Sequence, residues 1–515
     1  MDIVAALRLS RAWLAFAATL ATTISAASAP NIVILYADDM GYGDLGANNP
    51  ASKIPTPHLD RLAAHGVRFT DGHSSSGICT PSRYALLTGR HHWRDFHTIV
   101  GPFGGPVFKP GQLTLPQMLR QKGYATAAIG KWHLGWNWNV IRRPGTPKDS
   151  LKVEDFDWSL PVPGGPIDHG FDTYFGDDVI NFPPYAWIEG NRLPRAPDIT
   201  LTPPKGKNQI AGFPSRAAAP KEGTWGSRPG PALSDWNPHT VNPTLTQRTV
   251  DYILARQGQT KPFFLYVPFP SPHEPIIPQA EFRGRSRAGP YGDYVVETDA
   301  ACGRILAALE QAGFADHTLV IFTADNGAET FAYARDQQFD HWSSAPFRGV
   351  KQDLYEGGHR VPFIMRWPGV LKPGRVSDAL ISQVDLMATL AALVGHLLPP
   401  NAAEDSFDFL PYLLSATPVG PRRELVYNTH RDRYGFREGD WVLIDTRTGD
   451  ARPVPAAWKE KHQQPADDDL PVELYHLKDD PGQRRNLAAT HPARVAAMQA
   501  RSEERRVGKE CRSRW

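Results

Sequence analysis

Cysteine is scarce in this chain, with three residues in 515: Cys79, Cys302 and Cys511. So few cysteines exclude a small scaffold held together by a disulfide framework. An excess of either charge is also lacking, because 56 basic residues stand against 54 acidic ones. Residues 501–515 hold six basic and three acidic side chains and residues 1–29 hold two and one, which leaves 48 against 50 for the rest. That near-neutral body has no electrostatic footprint for nucleic acid, so no nucleic-acid partner is expected. Beyond the first 29 residues no run is long and apolar enough to cross a bilayer, so no stable membrane insertion is expected either. There is no internal repeat, which excludes a solenoid.

Proline (48) and glycine (44) are plentiful, which points to long ordered loops of the kind that carry binding and catalytic groups. With 41% hydrophobic and 21% charged residues the chain reads as globular. Its length exceeds what one core usually organises, so a large domain with a smaller companion is expected.

Both ends stand apart. Arg8 and Arg11, the apolar Trp13 to Leu20 and the small residues Ala27-Ser28-Ala29 make residues 1–29 a signal peptide, so the mature protein is expected to be exported, periplasmic or secreted. Residues 501–515 (RSEERRVGKECRSRW) lack the apolar period of the stretch before them and resemble the in-frame translation of a sequencing-adapter oligonucleotide. The reading is an assembly artefact that cuts the C-terminal domain short. Setting Cys511 aside leaves Cys79 and Cys302, which an exported protein would ordinarily pair.

The apolar run Asn31–Ala37 ends abruptly in Asp38-Asp39, as a buried parallel strand with carboxylates at its C-terminal end would. A helix is expected over 57–66, with Thr56 as cap, Pro57 at its first position and Gly66 closing it. Helices are also expected over 80–87, 115–122, 245–256, 292–312 and 384–394, and strands over 125–129, 263–267, 318–323 and 362–366. Residues 136–242 are rich in Pro, Gly and Trp and poor in periodicity, so they read as a loop-rich insert at the rim of a pocket. Beyond about 405 the pattern changes to short strands over 424–427, 441–444 and 472–476 and a helix from Pro492. The fold class is therefore α/β: a large, mostly parallel sheet sandwiched by helices (30–404), with a smaller α+β domain (405–500) on a short antiparallel sheet. Asp38-Asp39, Asp325-Asn326 and His273 all follow strands, where open α/β sheets bind ligands.

Cys79-Thr80-Pro81-Ser82-Arg83 has the form C-x-P-x-R. Alone that is weak, but the chain also contains Asp38-Asp39, GKWHLG at 130–135, SPHEP at 271–275, ADNG at 324–327 and GVKQDLYEGGHRVP at 349–362, in that order. From about Pro30 to Leu487 it resembles the formylglycine-dependent sulfatases of the arylsulfatase A-like branch, which have the alkaline phosphatase superfamily fold. The resemblance implies that an activating enzyme oxidises Cys79 to formylglycine, whose hydrate attacks sulfur and passes through a covalent sulfo-enzyme intermediate. It also implies one calcium ion, for which magnesium could substitute, held by Asp38, Asp39, modified Cys79, Asp325 and Asn326. Arg83 would orient the hydrate, Lys131 would contact sulfate and His133 would deprotonate the remaining hydroxyl. His273, with Lys351, would protonate the leaving alcohol. The substrate would be a sulfate ester, and for an exported member a sulfated glycan.

The residues support the same chemistry on physical grounds. A sulfate monoester is an anion, so its hydrolysis needs positive charge, a strong nucleophile and an acid. Asp38, Asp39, Asp325 and Asn326 are hard oxygen donors suited to calcium or magnesium rather than zinc. Two other readings remain at this point: a phosphonate or phosphate ester hydrolase of the same fold, and a non-catalytic calcium-dependent glycan-binding protein. His91, His92 and His97 show no carboxylate spacing for a transition metal and are expected at the surface or the substrate rim. Trp136 and Trp138 are expected to pack or to flank the pocket mouth.

Overall fold

The computed structural model describes residues 29–202, 226–414, 419–429, 431–465 and 468–507. The leader through residue 28, part of the 136–242 insert and the end of the 501–515 stretch therefore lie outside the described residues.

A nine-stranded sheet organises the described residues. In spatial order its strands are Arg375–Ser377, Val67–Phe69, Phe363–Arg366, Thr318–Ala324, Asn31–Ala37, Phe263–Pro268, Ala125–Ile129, Thr173–Gly176 and Ile188–Glu189. The central pairings are parallel, and Asn31–Ala37 pairs with both Thr318–Ala324 and Phe263–Pro268. The pairings of Phe363–Arg366 with both its neighbours and of Ile188–Glu189 are antiparallel. Ile32, Val33, Ile34 and Leu35 are fully buried because helices cover both faces of a central strand, and each such side chain contributes about 1.5–3 kcal/mol.

The expected helices form with shifted ends: Pro57–Ala64, Cys79–Thr88, Leu115–Gln121, Val241–Leu254, Gly289–Gln311 and Leu386–Leu393. Thr56 is not a side-chain cap. Its hydroxyl donates to Asp60 Oδ1 and accepts from the Gly46 N–H, which ties the preceding loop to the helix instead. The 136–242 stretch is less irregular than its composition suggests, since it delivers the last two strands at one end of the sheet, Thr173–Gly176 and Ile188–Glu189.

Strands Glu424–Asn428, Tyr434–Glu438, Trp441–Ile444 and Glu473–His476 form a separate antiparallel sheet. Phe409, Tyr412 and Leu413 still belong to the main core. The terminal helix runs Pro492–Val507, and Arg501 and Arg505 both donate to Glu424. No helix of the described residues is long and apolar enough to cross a membrane.

Candidate active site

Four neighbouring parallel strands deliver the site. Ala37 lies opposite Ala324 in register, so Asp38-Asp39 and Asp325-Asn326 leave the sheet side by side. His273 follows Phe263–Pro268, and Lys131 follows Ala125–Ile129. Gly130 makes that last exit feasible. Its φ is +137°, and a Cβ there would stand 2.1 Å from the Pro268 carbonyl oxygen, so only glycine fits.

Cys79 is the first residue of its helix, and Ile78 before it supplies no side-chain cap. The N–H groups of Cys79 and Thr80, at the start of the helix, have no acceptor within it, an arrangement that favours an anion. Arg83 lies one turn on, on the same helix face, and is wholly buried. Its Nε and Nη2 donate to Asp325 Oδ2 at 3.1 and 2.8 Å, and Nη1 donates to the Lys131 carbonyl. The Asp39 N–H donates to Asp325 Oδ1, so both oxygens of Asp325 hold neighbouring parts of the site.

The Cys79 sulfur is 3.6 Å from Asp38 Oδ1, 3.3 Å from Lys351 Nζ and 3.9 Å from Lys131 Nζ. Lys131 donates to Asp38 Oδ2 and Lys351 to Asp39 Oδ1, each at 2.5 Å. Asn326 Nδ2 donates to Asp39 Oδ1 at 2.6 Å. The carboxylates of Asp38, Asp39 and Asp325 thus meet the cations Arg83, Lys131 and Lys351 in one buried cluster.

His133, held at a positive φ of 55°, has Nε2 2.9 Å from the Val100 carbonyl oxygen, while its buried Nδ1 has no partner. Nε2 therefore carries the proton and donates to that carbonyl, and Nδ1 keeps its lone pair. His273 Nδ1 donates to the Glu274 carbonyl at 2.5 Å, leaving Nε2 turned toward Asp39 Oδ2 at 3.8 Å. Burial, then the Lys131 charge, holds both imidazoles well below the usual histidine range. Burial, then the Asp325 charge, pushes the Cys79 thiol up, against the pull of Lys131 and Lys351. Burial alone would lower Lys351, but Asp39, with Cys79, Asp38 and Asp325, more than offsets it and holds the ammonium well above its usual value.

The residues named in the sequence as catalytic groups or metal ligands converge: Asp38, Asp39, Cys79, Arg83, Lys131, His133, His273, Asp325, Asn326 and Lys351. Cys79 and Cys302 are both free and buried, so the disulfide that two lone cysteines would ordinarily form is absent. His91 and His92 are not at the surface. Both are buried, His91 stacked on Trp93 and His92 bonded through Nε2 to Asn428 Oδ1, because the C-terminal sheet packs over them. Trp136 and Trp138 are core residues.

A cleft of about 220 Å3 opens over Cys79. Its walls include Val179, Asn181, Phe182 and Arg228 from the 136–242 stretch, with Glu274, Glu329, Gln352 and Arg452. The sequence did not single these out, and only Glu274 and Gln352 fall inside a motif.

The hard-donor set fits a divalent cation. Asp39 Oδ2 and Asn326 Oδ1 are buried without a hydrogen-bond partner, and oxygens so orphaned are costly unless something electropositive meets them. Ligand atoms of Asp38, Asp39, Cys79 and His273 lie within 4.8 Å of one another.

A sulfatase family model matches residues 30–396. N-acetylgalactosamine-6-O-sulfatase of Bacteroides thetaiotaomicron is 32% identical, with 91% of each chain covered. Human arylsulfatase A is 34% identical, covering 91% of this chain and 85% of that protein. A solved structure described for the metabolism of multiple glycosaminoglycans by Bacteroides thetaiotaomicron superposes with a TM-score of 0.77 at 29% identity, covering 93% of this chain and all of that one.

Proposed function

The chain belongs to the sulfatase family, and on that premise we propose that it hydrolyses sulfate monoesters of aryl alcohols or carbohydrates through Cys79 oxidised to formylglycine, beside one calcium ion. The observation that carries this reading is the position of the Cys79 side chain. It lies on the floor of the cleft, at a helix start, within 3.3–3.9 Å of Lys351, Asp38 and Lys131.

Asp38, Asp39, Asp325 and Asn326 would hold the ion with the modified side chain, and magnesium would suit the same oxygens. Bound there, the ion would supply positive charge that favours ionisation of the nucleophile and draws in a sulfate oxygen. Oxidation of Cys79 would supply a hydrate with two hydroxyls on one carbon, which the buried thiol, with its ionisation disfavoured, cannot replace.

The chain's own residues do the rest. Lys351 brings an ammonium group to the cleft beside Cys79 and Lys131 brings a second one from the buried side of that residue, where they bind sulfate oxygens and hold the ester for attack. Arg83, fixed on Asp325, keeps that carboxylate oriented. His133 offers Nδ1 as a base, since Val100 fixes its tautomer. His273 Nε2, with Lys351, gives a proton to the departing oxygen. Burial opposes the charged form of His273, whereas Asp39 and the incoming anion favour it. Maturation needs a formylglycine-generating enzyme as partner, and residues 1–29 direct export to the periplasm or the exterior.

The test compares sulfate and phosphate release from matched aryl esters. Faster sulfate release is expected. Faster phosphate turnover would make the protein a phosphonate or phosphate ester hydrolase, and turnover of neither would leave a calcium-dependent glycan binder.

A further inference from the structure

Gln352 follows Lys351 directly and lines the cleft. Its backbone sits at φ 78°, in the left-handed region that favours glycine, and its N–H donates to the Gly77 carbonyl at 2.8 Å, which fixes it beside the helix start at Cys79. A glutamine held there costs of order 1 kcal/mol over glycine, a cost that persists where the surroundings or a function require the side chain. Among the described residues no side-chain hydrogen bond of the Gln352 amide offsets it. The side chain is half-buried at the cleft wall.

We propose that Gln352 is a specificity-determining residue that hydrogen-bonds a hydroxyl of a carbohydrate leaving group, selecting sugar sulfates over aryl sulfates. The inference rests on the sulfatase reading and adds the substrate class. An amide both donates and accepts, so it can pair with a hydroxyl in either sense, whereas an aromatic ring offers it no partner. A site built to pair with a substrate hydroxyl discriminates strongly against analogues that lack one. The same cleft is lined by Glu274, to whose carboxylate Asn181 donates at 3.5 Å. A sugar ring seated over Cys79 would thus meet more than one polar group.

The experiment measures kcat/KM of the mature enzyme and of Gln352→Gly on a sulfated monosaccharide and on 4-nitrophenyl sulfate, with melting temperatures of both proteins. The sugar-to-aryl ratio is expected to fall about tenfold in Gln352→Gly, with the melting temperature equal or higher because the backbone strain is relieved. Gln352→Asn, which tolerates the same backbone and keeps an amide, is expected to recover part of the ratio. An unchanged ratio, or a ratio lost together with a lowered melting temperature, overturns the role of Gln352. A wild-type enzyme that releases sulfate from neither substrate defeats the sulfatase reading itself.

Discussion

The Lys351 ammonium stands 3.3 Å from the Cys79 sulfur while donating to Asp39 at 2.5 Å. One side chain thereby joins the residue proposed as nucleophile to a carboxylate proposed as metal ligand. Lys351→Met keeps the length and removes the charge. It is expected to lower kcat by about a hundredfold or more, in the range of a lost acid or anion-binding group. Steady-state sulfate release measures this, and a loss below threefold would remove Lys351 from the proposed chemistry.

Arg83 and Asp325 form a fully buried pair. Removing one partner leaves the other charge uncompensated, so Arg83→Met is expected to destabilise the protein by about 3–5 kcal/mol as well as to abolish activity. Denaturant unfolding followed by tryptophan fluorescence reads the first effect.

Cation binding is separable from turnover. Calcium added to chelator-treated protein is expected to raise the melting temperature in proportion to the logarithm of its concentration. Asn326→Leu, which removes the orphaned Oδ1, is expected to need at least tenfold more calcium for the same shift. Equal shifts in both proteins would take Asn326 out of the ligand set.

Burial lowers His92 to about 3, from an unfolded value near 6.5. Below pH 6.5 the unfolded chain takes up a proton that folded His92 refuses, so its contribution to stability falls as pH falls through that window. Asp299 and Glu297, raised to about 7 by burial, titrate in the opposite sense, so a difference measurement is needed. The stability of the wild type relative to His92→Gln is expected to decrease by about 1.4 kcal/mol per pH unit between pH 6 and 4. A difference independent of pH would contradict the buried, neutral state of His92.

Part of the candidate site was legible in the sequence because apolar strand runs stop abruptly at acidic or amide side chains, whereas Cys79 and Arg83, at the start of a helix, and Lys351 were singled out by their motifs. Asp38-Asp39 and Asp325-Asn326 carry that signal without any structure. Which residues of the 136–242 rim and beyond line the cleft was not legible, because Asn181, Arg228 and Arg452 lie in segments without periodicity and come together only through tertiary packing. The strands Val67–Phe69 and Arg375–Ser377, at one end of the sheet, are three residues long, too short to show alternation. His91 and His92 were misjudged for a related reason. Their cover comes from Asn428 and its sheet, more than 300 residues away in sequence.

The most direct test is the mass of the peptide containing Cys79, taken from enzyme matured in its native host and assayed for sulfate release. Conversion of the thiol to the aldehyde lowers the mass by roughly 18 Da, and activity is expected to track the converted fraction. A fully active preparation with an intact Cys79 thiol would contradict the account.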